Sequence, residues 1–153
     1  MPLDNLFRKI EALSEFDIKK ETISIINQYG WYISALIRLQ LQEGVDGDGN
    51  PNTAKYGAFY SDSTVFRKQF KQGTGLSKQT EFVTNYDTGA FYMSLMTIVE
   101  GTVFKQESNV SYFNEILARS SNSLLNLNKK HLLQFSEEIL IPQLRLRFKQ
   151  LSG

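Results

Sequence analysis

Phe91-Tyr92-Met93-Ser94-Leu95-Met96-Thr97-Ile98-Val99-Glu100-Gly101-Thr102-Val103-Phe104 is the stretch that separates an all-helical reading of this chain from a mixed one. β-Branched and aromatic residues crowd both sides of Glu100-Gly101, and a glycine in a short connection between two such runs signals a hairpin turn. The spacing predicts a β-hairpin over Ala90–Lys105, with Glu100-Gly101 as its turn. The flanking sequence is helical in period, so the fold class is α+β. The elements expected are long N-terminal helices, a small antiparallel sheet formed by the hairpin, and a kinked C-terminal helix.

Upstream, Leu3, Leu6, Phe7, Ile10 and Leu13 recur every three or four residues and predict a short amphipathic helix ending at Ser14–Asp17. Asp17 is a suitable N-cap for the next element, because its carboxylate can accept free amides of the first turn. From Ile18 to about Gln42 the apolar positions keep helical spacing around one internal glycine, Gly30, which predicts a bend or a close packing contact there. Trp31, Tyr32 and Leu39 fall partly off the main stripe. This helix therefore carries more apolar girth than a single core face requires, which suits either a neighbouring subunit or a two-sided core.

Gly44-Val45-Asp46-Gly47-Asp48-Gly49-Asn50-Pro51-Asn52 ends that helix in turn-forming residues. Residues 53–85 form a long, partly irregular excursion, with one or two helical turns around Ser63–Lys71. After the hairpin, a short helix is predicted near Tyr112–Arg119 and a link over Ser120–Asn126. Asn128 caps a last helix reaching about Leu151, with Leu132, Leu133, Phe135, Ile139, Leu140, Leu144 and Phe148 on its apolar face. Pro142 removes an amide donor and collides with the carbonyl of Glu138, which predicts a kink or two abutting helices.

The 153 residues suit one domain spanning 1–153, with 41% hydrophobic and 22% charged residues. Mean hydropathy is -0.29, and no apolar run approaches the roughly 18–20 residues of a membrane helix. The N-terminus lacks the basic-then-apolar layout of a signal peptide, so no membrane partner is expected. The absence of cysteine excludes disulfides, thiolate metal sites and cysteine nucleophiles, and the single histidine excludes a histidine-rich metal centre. Residues 1–62 carry six Lys/Arg against nine Asp/Glu, a net −3, and residues 63–153 carry eleven against seven, a net +4. That polarity suits subunits that meet acidic face to basic face, or ordinary solvated surfaces.

The motifs that touch chemistry are incomplete. Asp87-Thr88-Gly89 is the aspartic-protease tripeptide, but its flank Val83-Thr84-Asn85-Tyr86 is polar, and it reads as the turn that launches the hairpin. Asp46, Asp48 and Asn50 occupy the first, third and fifth places of a calcium-loop pattern, yet the sixth is Pro51 and the twelfth Gly57. Gly73-Thr74-Gly75 lacks the rest of a phosphate-binding loop. His131, beside Lys129 and Lys130, reads as a surface residue without a catalytic partner. Phe66-Arg67-Lys68-Gln69-Phe70-Lys71 combines aromatics and cations, as single-strand nucleic-acid binders do, and equally as an amphipathic turn does. No cofactor, metal or catalytic residue is expected, and the chain reads as non-enzymatic.

Three segments, Arg38–Asn50 (containing Gln40-Leu41, Gly44, Asp46 and Gly49), Asp87–Leu95 and Asn126-Leu127-Asn128 before a long helix with Ile141-Pro142, together resemble a family. It is the tail-completion, or head–tail joining, proteins of tailed phages of Bacteroidetes, crAss-like phages included. Tyr60-Ser61 stands near their Tyr-Ser pair, while Asn52-Thr53-Ala54 departs from their proline-rich approach to it. The resemblance implies a virion neck protein, assembled in the bacterial host cytoplasm, that forms a ring of six or twelve copies below the portal. Its partners would be a portal or adaptor ring, tail proteins and DNA in the channel.

Interface candidates on this reading are Trp31, Tyr32, Tyr60, Phe66, Phe70, Phe91 and Tyr92. The alternative is a small nucleic-acid-binding or regulatory module using Arg67, Lys68, Lys71 and the basic C-terminal helix.

Overall fold

A computed structural model of the chain describes residues 10, 11, 14, 16–52, 62–70, 85 and 89–152. Residues 10, 11 and 14 are helical, so the expected break does not begin at Ser14; the rest of the Leu3–Leu13 prediction lies outside the described residues. The fold is α+β, a set of helices around one two-stranded antiparallel sheet, with a long helical segment at the C-terminus.

Helix α1 spans Ile18–Gln28, and the Asp17 carboxylate caps it by accepting the Lys20 amide at 3.1 Å. It stops at Tyr29, whose φ of −109° and ψ of 20° leave helical geometry, and α2 restarts at once over Gly30–Gln42. The single helix expected over 18–42 is therefore two abutting helices. The close packing contact foreseen at Gly30 is present as well. A Cβ there would lie 3.1 Å from Thr97 Cβ, so a larger residue would have to push the sheet back by a few tenths of an ångström.

The sheet pairs β1, Met96–Glu100, with β2, Val103–Glu107, in the register Glu100↔Val103 through Met96↔Glu107. The turn is Gly101-Thr102, one residue later than Glu100-Gly101, and Gly101 at φ 61° supplies the positive angle that a tight hairpin needs. The hairpin is also shorter than Ala90–Lys105. Ala90–Ser94 forms one helical turn, α4, entered through Gly89 at φ 87°. A β-rich composition yields here because Arg38 of α2 donates from Nε to Tyr92 O at 2.6 Å and from a terminal nitrogen to Leu95 O at 3.1 Å, filling the carbonyls that end this turn.

Helix α3 covers Asp62–Phe70, and α5 covers Phe113–Arg119. Helix α6, Lys129–Phe135, is capped by Asn128, whose side chain accepts the His131 amide at 2.9 Å. A π-helical turn, Ser136–Leu140, joins it to α7, Ile141–Ser152. The kink expected from Pro142 takes this form, since a widened turn relieves the proline's collision with the preceding carbonyls. The extra residue slips the inward stripe. Starting from His131 and Phe135, a straight helix would bring in residues 138, 142 and 146; instead 139, 140, 143, 144 and 147 face inward and Leu146 faces out.

Two apolar clusters share the buried face of α2. One joins Ile37 and Leu41 to Phe91, Tyr92, Leu95 and Leu124; the other joins Ile33 and Leu36 to Phe135. Of the residues that give this helix its surplus girth, Tyr32 packs against the second cluster, while Trp31 and Leu39 are 66% and 46% exposed and belong to neither. Each fully buried side chain of this size contributes roughly 1.5–3 kcal/mol.

Candidate interaction surface

The seven candidate residues separate cleanly. Phe91 and Tyr92 are core residues, 2% and 3% exposed, because α4 turns both inward against α2; they are not surface positions. Tyr60 lies outside the described residues. Trp31, 66% exposed, stands edge-on to Tyr32 at the start of α2, with ring centroids 5.6 Å apart. Tyr32 is half-buried: its hydroxyl donates to Glu138 and accepts from Gln134. The bond to Glu138, then burial, holds this phenol above its usual pKa. Phe66 and Phe70 are exposed on α3, with their rings 4.6 Å apart.

Other exposed apolar groups were not singled out by the sequence. Met93 is 78% exposed and Val103 65%, and Met96, Ile18, Leu146 and Leu151 also face solvent. For the hairpin, the missing signal was alternation. Opposed residues share a face, so Met96, Ile98, Glu100, Val103, Lys105 and Glu107 lie on the outside. Thr97, Val99, Phe104 and Gln106 lie inside. On the outer face Lys105 bridges Glu100 at 2.7 Å and Glu107 at 2.8 Å, which raises its pKa.

On the inner face a polar knot replaces apolar packing. The Thr97 hydroxyl donates to Gly30 O at 2.8 Å and accepts from Gln106 Nε2 at 2.7 Å, while Ser34 donates to Gln106 Oε1 at 3.0 Å. All are held within the fold, so none is offered to a ligand. A second knot forms around Gln40, which donates to Asn126 O at 2.8 Å and accepts the Asn128 amide at 2.8 Å.

The segment resembling a calcium loop is likewise structural. Asp46 is buried, and its Oδ1 accepts the amides of Asp48 and Asn50, each at 3.0 Å. Its Oδ2 accepts the hydroxyls of Ser121 at 2.9 Å and Ser123 at 3.1 Å. Four donors occupy the lone pairs that a cation would need. Among the described residues there is no group of three acidic or histidine side chains placed to hold a metal.

His131 is not a surface residue. It is 1% exposed, with Nε2 4.0 Å from Glu43 Oε2, and Glu43 is itself paired with Lys130 at 2.5 Å. Its Nδ1 has no hydrogen-bond partner, and burial lowers its pKa against the opposing pull of Glu43. Asp87 and Thr88 lie outside the described residues, and Gly89 opens a helical turn in place of the hairpin turn expected there.

Of the cations proposed for nucleic acid, Arg67 is exposed and Lys68 buried, while Lys71 lies outside the described residues. Arg147 is held by Glu21 at 2.6 Å and Gln28 at 3.0 Å. No helix among the described residues is long and apolar enough to cross a membrane. Comparison with protein-family models, with curated proteins and with solved structures finds no match to this chain.

Proposed function

We propose that this chain is a non-enzymatic structural subunit of a tailed-phage virion. In this reading it is a neck protein that joins head to tail as a ring of six or twelve copies below the portal and helps retain or conduct DNA. The observation that carries the reading is the placing of large apolar side chains on the outside of several elements at once: Trp31 on α2, Phe66 and Phe70 on α3, Met93 on α4, Val103 on β2 and Leu146 on α7. Single exposed apolar residues are ordinary, but adjacent ones such as the Phe66–Phe70 ring pair suit a protein whose surface is completed by neighbours.

The setting comes from the resemblance in sequence. The residues that carry it hold the architecture: Gln40 anchors the approach to α6, Asp46 ties its loop to Ser121 and Ser123, and Gly89 opens α4.

Mass spectrometry of purified particles of a phage encoding this chain tests the proposal, together with antibody labelling in negative-stain images. Label at the head–tail junction is expected. Absence of the chain from purified particles would overturn the reading.

A further inference from the structure

The start of α6 is fastened to the end of α2 at three points. Gln40 Oε1 accepts the Asn128 amide at 2.8 Å, Lys130 pairs with Glu43 at 2.5 Å, and the His131 ring is buried with its Nε2 toward Glu43. His131 is the one histidine of the chain, hence the one side chain whose ordinary pKa falls between pH 5 and 8.

The surroundings of this ring suit its neutral form alone. Nδ1 is buried without a hydrogen-bond partner, and Nε2 stands 4.0 Å from Glu43 Oε2, beyond hydrogen-bonding reach. Protonation would place an N–H on both nitrogens, with no acceptor in reach of either and the charge out of water. The charged groups that face the ring are Glu43, at the end of α2, and Lys130, on its own helix. Lys130 repels an imidazolium, and it also engages the Glu43 carboxylate that would attract one. Burial accordingly outweighs Glu43 and holds the imidazole below its usual pKa.

We infer that protonation of His131 unlatches residues 129–140 from α2 while α4 and the hairpin stay folded, making this junction an acid-sensitive latch. The division follows from the two clusters. The one around Ile37, Leu41 and Phe91 contains no residue of 129–140, whereas Phe135 belongs to the other, against Ile33 and Leu36. The remaining side-chain ties from α2 and its end to this segment, Lys130–Glu43 and Tyr32–Glu138, are polar and at the surface, where water can replace them. Opening therefore solvates the imidazolium at the loss of one apolar cluster and not of both.

Hydrogen–deuterium exchange of the full chain at pH 7.5 and pH 5.0, read by mass spectrometry and corrected for the intrinsic pH dependence of amide exchange, tests the latch. In the parent, protection over 129–140 is expected to fall several-fold at pH 5.0. The fall is bounded at about 30-fold by the 1.5 pH units that separate pH 5.0 from the usual imidazole pKa. Residues 90–107 are expected to keep their protection, and in His131→Leu the 129–140 segment is expected to hold at both pH values.

Circular dichroism checks that the variant folds. Should it not, the parent alone decides by NMR, where its one imidazole and the α6 amides are expected to titrate with a common midpoint. Unchanged protection at pH 5.0 overturns the latch, as does equal loss over 90–107 and 129–140. So does a His131→Leu variant that opens like the parent, or an imidazole midpoint separate from that of the α6 amides.

Discussion

The Thr97 hydroxyl donates to the Gly30 carbonyl at 2.8 Å, and a Cβ on Gly30 would stand 3.1 Å from Thr97 Cβ. The start of α2 and the inner face of the hairpin are thus joined by a hydrogen bond at a spacing tighter than most Cβ contacts. In a free helix Gly30→Ala would gain up to about 1 kcal/mol. Here Thr97 is held by Gln106 as well as Gly30 and has little room to yield, so the variant should lose roughly 1–3 kcal/mol through overpacking. Denaturant unfolding of the two proteins measures the sign. A more stable Gly30→Ala would mean that the contact relaxes freely.

Asp46→Asn replaces one of two accepting carboxylate oxygens with an amide donor, while four donors still point at the group. The expected loss is about 2–3 kcal/mol, because charge-assisted bonds go and a buried donor faces other donors. Calcium added to the parent should leave the melting temperature unchanged. A rise of several degrees on adding calcium would show that the loop opens to admit the ion.

Burial lowers the His131 pKa below the usual 6.5. The unfolded chain therefore binds a proton before the folded one does. The contribution of neutral His131 is complete above about pH 6.5 and is lost as pH falls toward the lowered folded value. Groups facing it are Glu43 from the end of α2 and Lys130 on its own helix, and the Glu43 charge opposes the shift without cancelling it. Thermal melts at pH 7.5 and pH 5.5 should differ more for the parent than for His131→Leu. An equal difference in both proteins would place the acid sensitivity elsewhere.

Phe91→Ala should cost roughly 3–5 kcal/mol, as large-to-small changes in a packed core do, since Phe91 is 2% exposed. Trp31→Ala should change the stability of the isolated chain by less than about 1 kcal/mol, because its ring is mostly in water. On the assembly reading, the same Trp31 change should lower incorporation into particles. Equal incorporation of Trp31→Ala and parent would remove Trp31 from the interface.

What the sequence determined by itself was local. Asp17 and Asn128 cap helices because a short side-chain acceptor three residues before a free amide needs nothing else. The apolar spacing over 18–42 and 129–151 marks helices, and the residues around Gly101 mark a hairpin, because both periods are read within a few positions. Pro142 announced a disturbance for the same reason: a missing amide and a crowded carbonyl lie within one turn.

What only the tertiary structure decided depends on groups far apart in the chain. Phe91 and Tyr92 entered the core where Arg38, more than fifty residues away, ends α4 at the carbonyls of Tyr92 and Leu95. Asp46 became a buried pivot because Ser121 and Ser123 reach it from 75 and 77 positions on. His131 went inside because α6 packs on α2, and Leu146 went outside because the π turn shifted the helix phase. Burial follows from which surfaces meet, and no spacing within a single element fixes that.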